Sequence, residues 1–384
     1  MNKFLSAHGT GSSWAYAAKE CVDGLLNEQG NIPEANAGMN WLGFVYITDA
    51  FAPDISSILT YLRQKTGMSH WVGTIGTGVL VDAWEYHDMP AVGVLAGQFP
   101  VGDFHIVPPI HDLEEALPDN TLQWFKETSP GFGVVHGDPS CEDVVSLIES
   151  MAETMGGILG GSFLVGGLSA SRSDNYQIAD QLTGNGVSGV AFAPQVNVIT
   201  ALTQGCMPLG ESHLVTEAVD NVIMGLNGCS ALDVLKDDVG ELLSRDLSRL
   251  SGFVHAAIPV TGSDTGDYMV RNLTAIDPDK GWVAIADMVV PGDRVSFVRR
   301  DPPSARADMD RMLDNIKARM PSEPKGGLYY SCVARGPFMF GTSGEEARMI
   351  RAALGDVPIV GFFGNGEVSN TRLHSYTGVL VLFF

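Results

Sequence analysis

The sequence predicts a mixed α/β fold: layered mixed β-sheets covered by helices, built from three β-α-β-β units plus an inserted strand meander. Three observations carry this. Apolar residues make up 45% of the 384 and charged residues 18%, with a mean hydropathy of +0.10, so the chain can bury large cores instead of staying disordered. Its 45 glycines cluster at the ends of apolar runs. Three glycine motifs also overlay on one another: Gly73-Thr-Ile-Gly-Thr-Gly78, Gly361-Phe-Phe-Gly-Asn-Gly366 and Gly166-Gly-Leu-Ser-Ala-Ser171, in which Ser169 and Ser171 replace the later glycines.

Each unit opens on an apolar strand: Trp41–Thr48, Phe132–His136 and Leu328–Val333. An amphipathic helix follows. Ile55, Ile58, Leu59 and Leu62 mark the first at helical spacing, Val144, Ile148, Met151 and Met155 the second, and Ala347, Ile350 and Leu354 the third. Ser140 with Asp143, and Ser343 with Glu346, read as capping boxes. The glycine turn then leads to a returning strand with Gly93-Val, Gly189-Val or Gly378-Val. A right-handed crossover makes the first two strands of each unit parallel and leaves the last antiparallel. The glycines at 73, 166 and 361 are expected at equivalent strand ends.

Outside the repeats, residues 13–26 form a helix with Trp14, Ala17, Ala18, Cys21, Val22 and Leu25 inward, and 27–40 a linker. Residues 196–228 read as a strand meander. A long helix capped by Ser230 and Asp233 turns Leu232, Leu235, Val239, Leu242 and Leu250 inward. Strands are expected near 253–260, 268–276, 281–289 and 294–299, then a helix presenting Met309, Leu313, Ile316 and Met320.

With 45 acidic and 23 basic residues, the net charge of −22 repels phosphate backbones and anionic lipids, which argues against a nucleic-acid or membrane partner. No stretch approaches the ~20 continuous apolar residues of a membrane span, and the first residues lack a secretory apolar core. Five cysteines without a C-x-x-C pair support neither a disulfide framework nor a zinc site. A cytoplasmic location is the expectation.

Known catalytic motifs fail. The glycine spacing is G-x-x-G-x-G followed by a strand, where a dinucleotide fold needs G-x-G-x-x-G followed by a helix. Neither G-x-S-x-G, H-E-x-x-H nor a phosphate loop occurs. Asp264-Thr-Gly lacks a second copy and reads as a turn, as does Asp277-Pro-Asp279 with Gly281. The histidines offer no pair at metal-binding spacing, so no metal and no cofactor are expected. At 361–367 the glycines either permit close strand packing or expose amides as a nest for a carboxylate. Cys332, just ahead of Arg335-Gly336, is either an activated thiol or an inert buried one. His374 either shares a cleft with Glu367 or is a satisfied surface residue.

The run Ser331-Cys332-Val-Ala-Arg335-Gly336, then Val357-Pro-Ile-Val-Gly-Phe-Phe-Gly-Asn-Gly-Glu367-Val, then Leu373-His-Ser-Tyr-Thr-Gly-Val-Leu resembles the FIST C-terminal domain. So do Met269-Val-Arg-Asn-Leu with Asp277, and Gly205-Cys-Met-Pro-Leu-Gly through Val215-Thr216, Asn227-Gly228 and Ala231-Leu232. Trp71-Val-Gly-Thr-Ile-Gly-Thr-Gly to Glu85 and Pro90 resembles the FIST N-terminal domain. The domains expected are an N-terminal helix and linker over 1–37, FIST N over 38–228 and FIST C over 229–384. The resemblance implies a small-ligand sensory module, with amino acids among its ligands. Only about 37 residues lie outside it, too few for an effector domain, so a separate signalling protein is the expected partner.

The expected function is therefore a cytoplasmic small-ligand sensor without catalytic residues, more a binding protein than an enzyme. Its expected site comprises Cys332, Arg335, Gly336, Gly361, Gly364, Asn365, Gly366 and Glu367. Arg335 and the nest amides would take a ligand carboxylate and Glu367 its ammonium. The alternative is an enzyme acting on a small metabolite through Cys332 or Glu367. A simple Arg335–Glu367 ion pair is the structural rival.

Overall fold

Three long apolar segments begin the three repeats, and each becomes the middle of a six-stranded sheet. A computed structural model of the chain describes residues 3–26, 38–156, 162–244, 250, 252–260 and 268–384. The chain divides into two compact units, residues 1–202 with 312–384, and residues 203–311.

In the first repeat, β1 (Phe4–Thr10), α1 (Trp14–Leu25), β2 (Met39–Thr48), α2 (Ile55–Thr66), β3 (His70–Gly76), β4 (Gly78–Val81), β5 (Trp84–His87) and β6 (Ala91–Pro100) follow one another. The second runs β7 (Phe104–Ile110), α3 (Asp119–Thr128), β8 (Phe132–Gly137), α4 (Val144–Gly156), β9 (Phe163–Leu168), β10 (Tyr176–Ala179), β11 (Gln181–Gly184) and β12 (Val187–Phe192). The third starts with β13 (Val198–Thr203) and is then interrupted.

The interruption is the 203–311 unit. It carries β14 (Met207–Pro208), β15 (His213–Val219), β16 (Val222–Leu226), β17 (Cys229–Ser230), α5 (Ala231–Ser244), β18 (Val254–Pro259), β19 (Tyr268–Asp277), β20 (Trp282–Ile285) and β21 (Arg294–Arg299). Its strands form one sheet, packed on Leu232 and Leu235 of α5 and on Leu250. Leu250 lies beyond the end of that helix, which breaks at Gly240 (φ 75°). Asp264-Thr-Gly, residues 27–37 of the expected linker and the Leu242 side chain lie outside the described residues. The boundary at 311/312 falls inside α6 (Pro302–Arg319), from which the third repeat resumes with β22 (Gly326–Cys332), α7 (Pro337–Phe340), α8 (Glu345–Leu354), β23 (Ile359–Gly364), β24 (Glu367–Ser369), β25 (Arg372–His374) and β26 (Gly378–Phe383).

The mixed α/β expectation holds, and its strand directions hold with it. β2–β3, β8–β9 and β22–β23 are parallel, and β6, β12 and β26 return antiparallel to the first of each pair. The repeat is longer than β-α-β-β, because a leading strand and helix precede it and a hairpin precedes the return. The sheet orders are β1-β6-β2-β3-β10-β11, β7-β12-β8-β9-β24-β25 and β13-β26-β22-β23-β4-β5. Each hairpin thus completes the sheet of another repeat.

Gly73, Gly166 and Gly361 are equivalent in register, opposite Val45, Val135 and Tyr329. They lie inside the second strands and not at their ends. A Cβ on each would come within 1.7, 1.8 and 1.6 Å of the Val45, Val135 and Tyr329 carbonyl oxygens, so here glycine serves close backbone approach. The returning glycines are not equivalent: Gly93 pairs with Tyr46, Gly189 with Val135 and Gly378 with Ser331.

The inner faces of the three sheets share one core that includes Phe44, Leu95, Phe132, Val134, Leu328, Phe362 and Phe383. At its centre Tyr46, His136 and Tyr330, each one residue beyond the position facing its glycine, meet: the Tyr46 hydroxyl lies 3.1 Å from His136 Nε2 and donates to the Tyr330 hydroxyl at 3.1 Å. Helices α1 and α2 cover the outer face of the first sheet through Ala17, Ala18, Cys21, Val22, Leu25, Ile55, Ile58 and Leu62. No helix among the described residues is long and apolar enough to cross a membrane.

Candidate functional site

Cys332 ends β22 opposite Gly364 of β23. The chain then turns sharply, with the Arg335 amide donating to the Cys332 carbonyl at 2.8 Å, and this folds the Arg335 side chain inward. The guanidinium is buried, its Nε and Nη2 both 2.8 Å from Oε1 of Glu346 on α8. Its Nη1 reaches the Tyr376 carbonyl at 3.4 Å, and the group lies over the Phe340 ring. Glu346 also accepts from Tyr329 Oη (2.6 Å), Ser331 Oγ (3.1 Å) and the Gly336 amide (3.1 Å). A buried ion pair with this many donors is held by geometry as much as by charge.

This corrects two expectations. Arg335 pairs with Glu346, not with Glu367, so its paired edge is committed within the protein. Glu346 is also no capping-box partner: α8 starts from Gly344, and its first amides are capped by Glu85 of the first repeat, which accepts from Gly344 N at 3.0 Å and Ala347 N at 2.9 Å. Ser140 likewise does not cap α4, which starts only at Val144, and its hydroxyl donates to Asp138 at 2.6 Å. The signal at Glu346 was its spacing. It stands one turn before Ile350, on the buried face.

Glu367 opens β24 and is buried. Its Oε2 accepts from the Thr377 amide at 3.1 Å and the Thr377 hydroxyl at 2.7 Å. Among the described residues no donor is placed to hydrogen-bond Oε1. Burial pushes the carboxyl up to about 8, although the Thr377 bonds, the Arg335 charge and the Cys332 thiol beside it all favour ionisation. His374 stands directly across the hairpin. It is buried, which corrects the surface reading. The structure therefore brings Cys332, Arg335 and Glu367 together, with His374 beside Glu367, as one of its two expected placements had it, and with Thr377 as a neighbour that the sequence did not single out.

The glycines serve the backbone. Gly361 lies inside β23, and a Cβ at Gly364 would meet the Leu168 carbonyl at 2.6 Å. Gly336 (φ 61°) leaves room for the His87 ring, 2.8 Å from where a Cβ would stand. The Asn365 amide donates to the Leu168 carbonyl at 3.0 Å and the Gly366 carbonyl accepts from the Leu168 amide at 2.8 Å. These bonds fasten the crossing into the second repeat's sheet and spend an amide that the nest reading needed. The Asn365 side chain itself is exposed. Among the described residues no cluster of three or more His, Cys, Asp or Glu could hold a metal.

The chain matches the FIST N domain over residues 41–229 and the FIST C domain over residues 231–370. It belongs to the FIST family. Similar proteins include an uncharacterized protein of Mycobacterium tuberculosis, 31% identical over 342 residues and covering 85% of this chain and 86% of that protein. Another, from Mycobacterium bovis, is 28% identical over 345 residues, 88% of this chain and 87% of its own length. FIST domains are associated with signal transduction and small-ligand sensing. The two FIST matches meet inside the 203–311 unit, while Cys332, Arg335, Glu346 and Glu367 all belong to the FIST C stretch.

Proposed function

We propose that this FIST protein is a cytoplasmic small-ligand-binding sensory protein whose ligand engages Glu367, with amino acids as the ligand class and a separate signalling protein as its output. The observation that supports this is the half-satisfied Glu367 carboxyl: Oε2 holds two donors and Oε1 none among the described residues. A buried carboxyl left this way is destabilising until a donor completes it. An ammonium completes it best, since it also draws the carboxyl back into its charged form. The neighbouring Arg335 charge gives the ligand carboxylate a favourable field even though the guanidinium stays with Glu346.

A thermal-shift series with the full chain and single amino acids tests this. Stabilisation is expected for the true ligand class and should vanish in Glu367→Gln. No stabilisation by any amino acid at millimolar concentration would defeat the reading.

One observation favours a second reading. A carboxyl held near 8 beside a thiol is suited to pass a proton to or from Cys332. Turnover of a bound metabolite that is lost in both Cys332→Ala and Glu367→Gln would place an enzyme ahead of a sensor.

A further inference from the structure

We propose that the seam between β10 and β12 encloses a second, uncharged binding cell for a small neutral molecule that both donates and accepts hydrogen bonds, water being the simplest. The three repeats place equivalent residues on one inner layer. Across the first sheet the row reads Gly93, Tyr46, Thr74, Gln177; across the second, Ser188, His136, Gly167, Glu367; across the third, Val379, Tyr330, Phe362, Val79. Where the sheets meet, β10 lies against β12, β24 against β26 and β4 against β6. Gln177, Glu367 and Val79 are therefore the same position of the repeat at three seams. One seam is acidic, one apolar, and the one holding Gln177 and Ser188 is polar without charge.

At that seam Gln177, Ser188 and His136 are fully buried, yet both Gln177 amide atoms, Ser188 Oγ and His136 Nδ1 have no hydrogen-bond partner. Ser188 and His136 face each other directly across the β12–β8 ladder. The alternation of both strands turns them to the side of Val134, Val190 and Phe192, the common core. Three such side chains on adjoining strands are rare in folded proteins unless something bridges them.

The chemistry of the occupant follows from the donors. Tyr46 donates to Tyr330, so His136 Nε2–H donates to Tyr46 and Nδ1 is left as a bare acceptor. Burial holds the imidazole neutral, down to about 3. The occupant must donate to Nδ1, can take either role at Ser188 and Gln177, and meets no countercharge, so an ion is excluded. This inference rests on the inner layer alone and stands or falls independently of a ligand at Glu367.

A crystal structure of the full chain that resolves ordered water tests it, together with solvent magnetic relaxation dispersion of the wild type and a Ser188→Ala, Gln177→Leu double variant. The expected result is density within hydrogen-bonding reach of His136 Nδ1 and of Ser188 or Gln177, with fewer long-lived waters in the variant if the occupant is water. A non-spherical neutral molecule in the same place also supports the proposal. An empty cell, a direct Gln177 bond to His136 or Ser188 that closes it, or an ion there overturns it. The wild-type density decides the matter even if the variant fails to fold.

Discussion

Glu85 caps α8 from 262 positions away, its Oε1 accepting the amide of Ala347 at 2.9 Å while Oε2 accepts that of Gly344 at 3.0 Å. The same oxygen of Glu85 lies 3.0 Å from His87 Nε2. One buried carboxylate of the first repeat thus fixes the helix that carries Glu346, and through it the position of Arg335.

Glu85→Ala should cost about 2–3 kcal/mol, because two buried amides lose their acceptor. Glu85→Gln should cost about 1 kcal/mol, since its single oxygen can still take one of them. Urea unfolding of the full chain measures both. An alanine variant as stable as wild type would mean that the cap contributes nothing.

Stability should depend on the ionisation of Glu367. Its folded value, about 8, is above its ordinary 4.5, so the native state binds the extra proton. The stabilisation is complete below about 4.5 and is lost as pH rises through about 8. In Glu367→Gln that decline should disappear, leaving the variant the more stable protein by a few kcal/mol (order of magnitude) at about pH 9. Parallel pH profiles for the two proteins would contradict this.

His136 works in the opposite direction. Its folded value of about 3 lies below the ordinary 6.5, so stability is intact above 6.5 and falls as pH drops towards 3. Replacing His136 by Phe should remove this part of the acid sensitivity. Chemical unfolding between about pH 4 and pH 7 reads the difference.

Tyr46→Phe strips hydrogen bonds from both His136 and Tyr330 and should cost about 1–3 kcal/mol. Tyr330→Phe removes only one of these bonds and should cost less. In a double-mutant cycle the pair should be non-additive, because both changes remove the same Tyr46–Tyr330 contact. Strict additivity would show that the hydroxyls do not interact.

Alanine at Gly73, Gly166 or Gly361 should prevent folding or cost more than about 4 kcal/mol, since the new methyl would overlap a neighbouring backbone carbonyl. Gly131→Ala is the control, with open space around its Cβ position, and should change stability by less than about 0.5 kcal/mol. Expression and thermal melts of the four variants separate the outcomes.

The first two strands of each repeat, the helix between them and the return strand were legible because apolar runs and helical spacing are local signals. The hairpins were not. β4, β5, β10 and β11 have four residues each, and β24 and β25 three, too short for alternation to register. Their partners also lie in other repeats, which no local pattern encodes. At the site, the proximity of Cys332, Arg335 and Glu367 followed from parallel strands with ligand-facing ends. Glu346 reads in the sequence as a local capping partner of Ser343, and the role of Glu85 was missed because the amides it satisfies are 259 and 262 positions away. Nor does any local pattern link Tyr46, His136 and Tyr330, which meet only where three strands converge.

The passing of hairpins runs from the first repeat to the third, from the third to the second and from the second to the first. This circuit closes at three. A solenoid grows by adding copies and needs special terminal ones to shield its ends; here no copy is terminal. A fourth would find β3, β9 and β23 already paired with a hairpin and no hairpin left to complete its own sheet. Copy number in this architecture is therefore set by strand pairing, and the extra unit enters after β13, as an insertion inside a repeat.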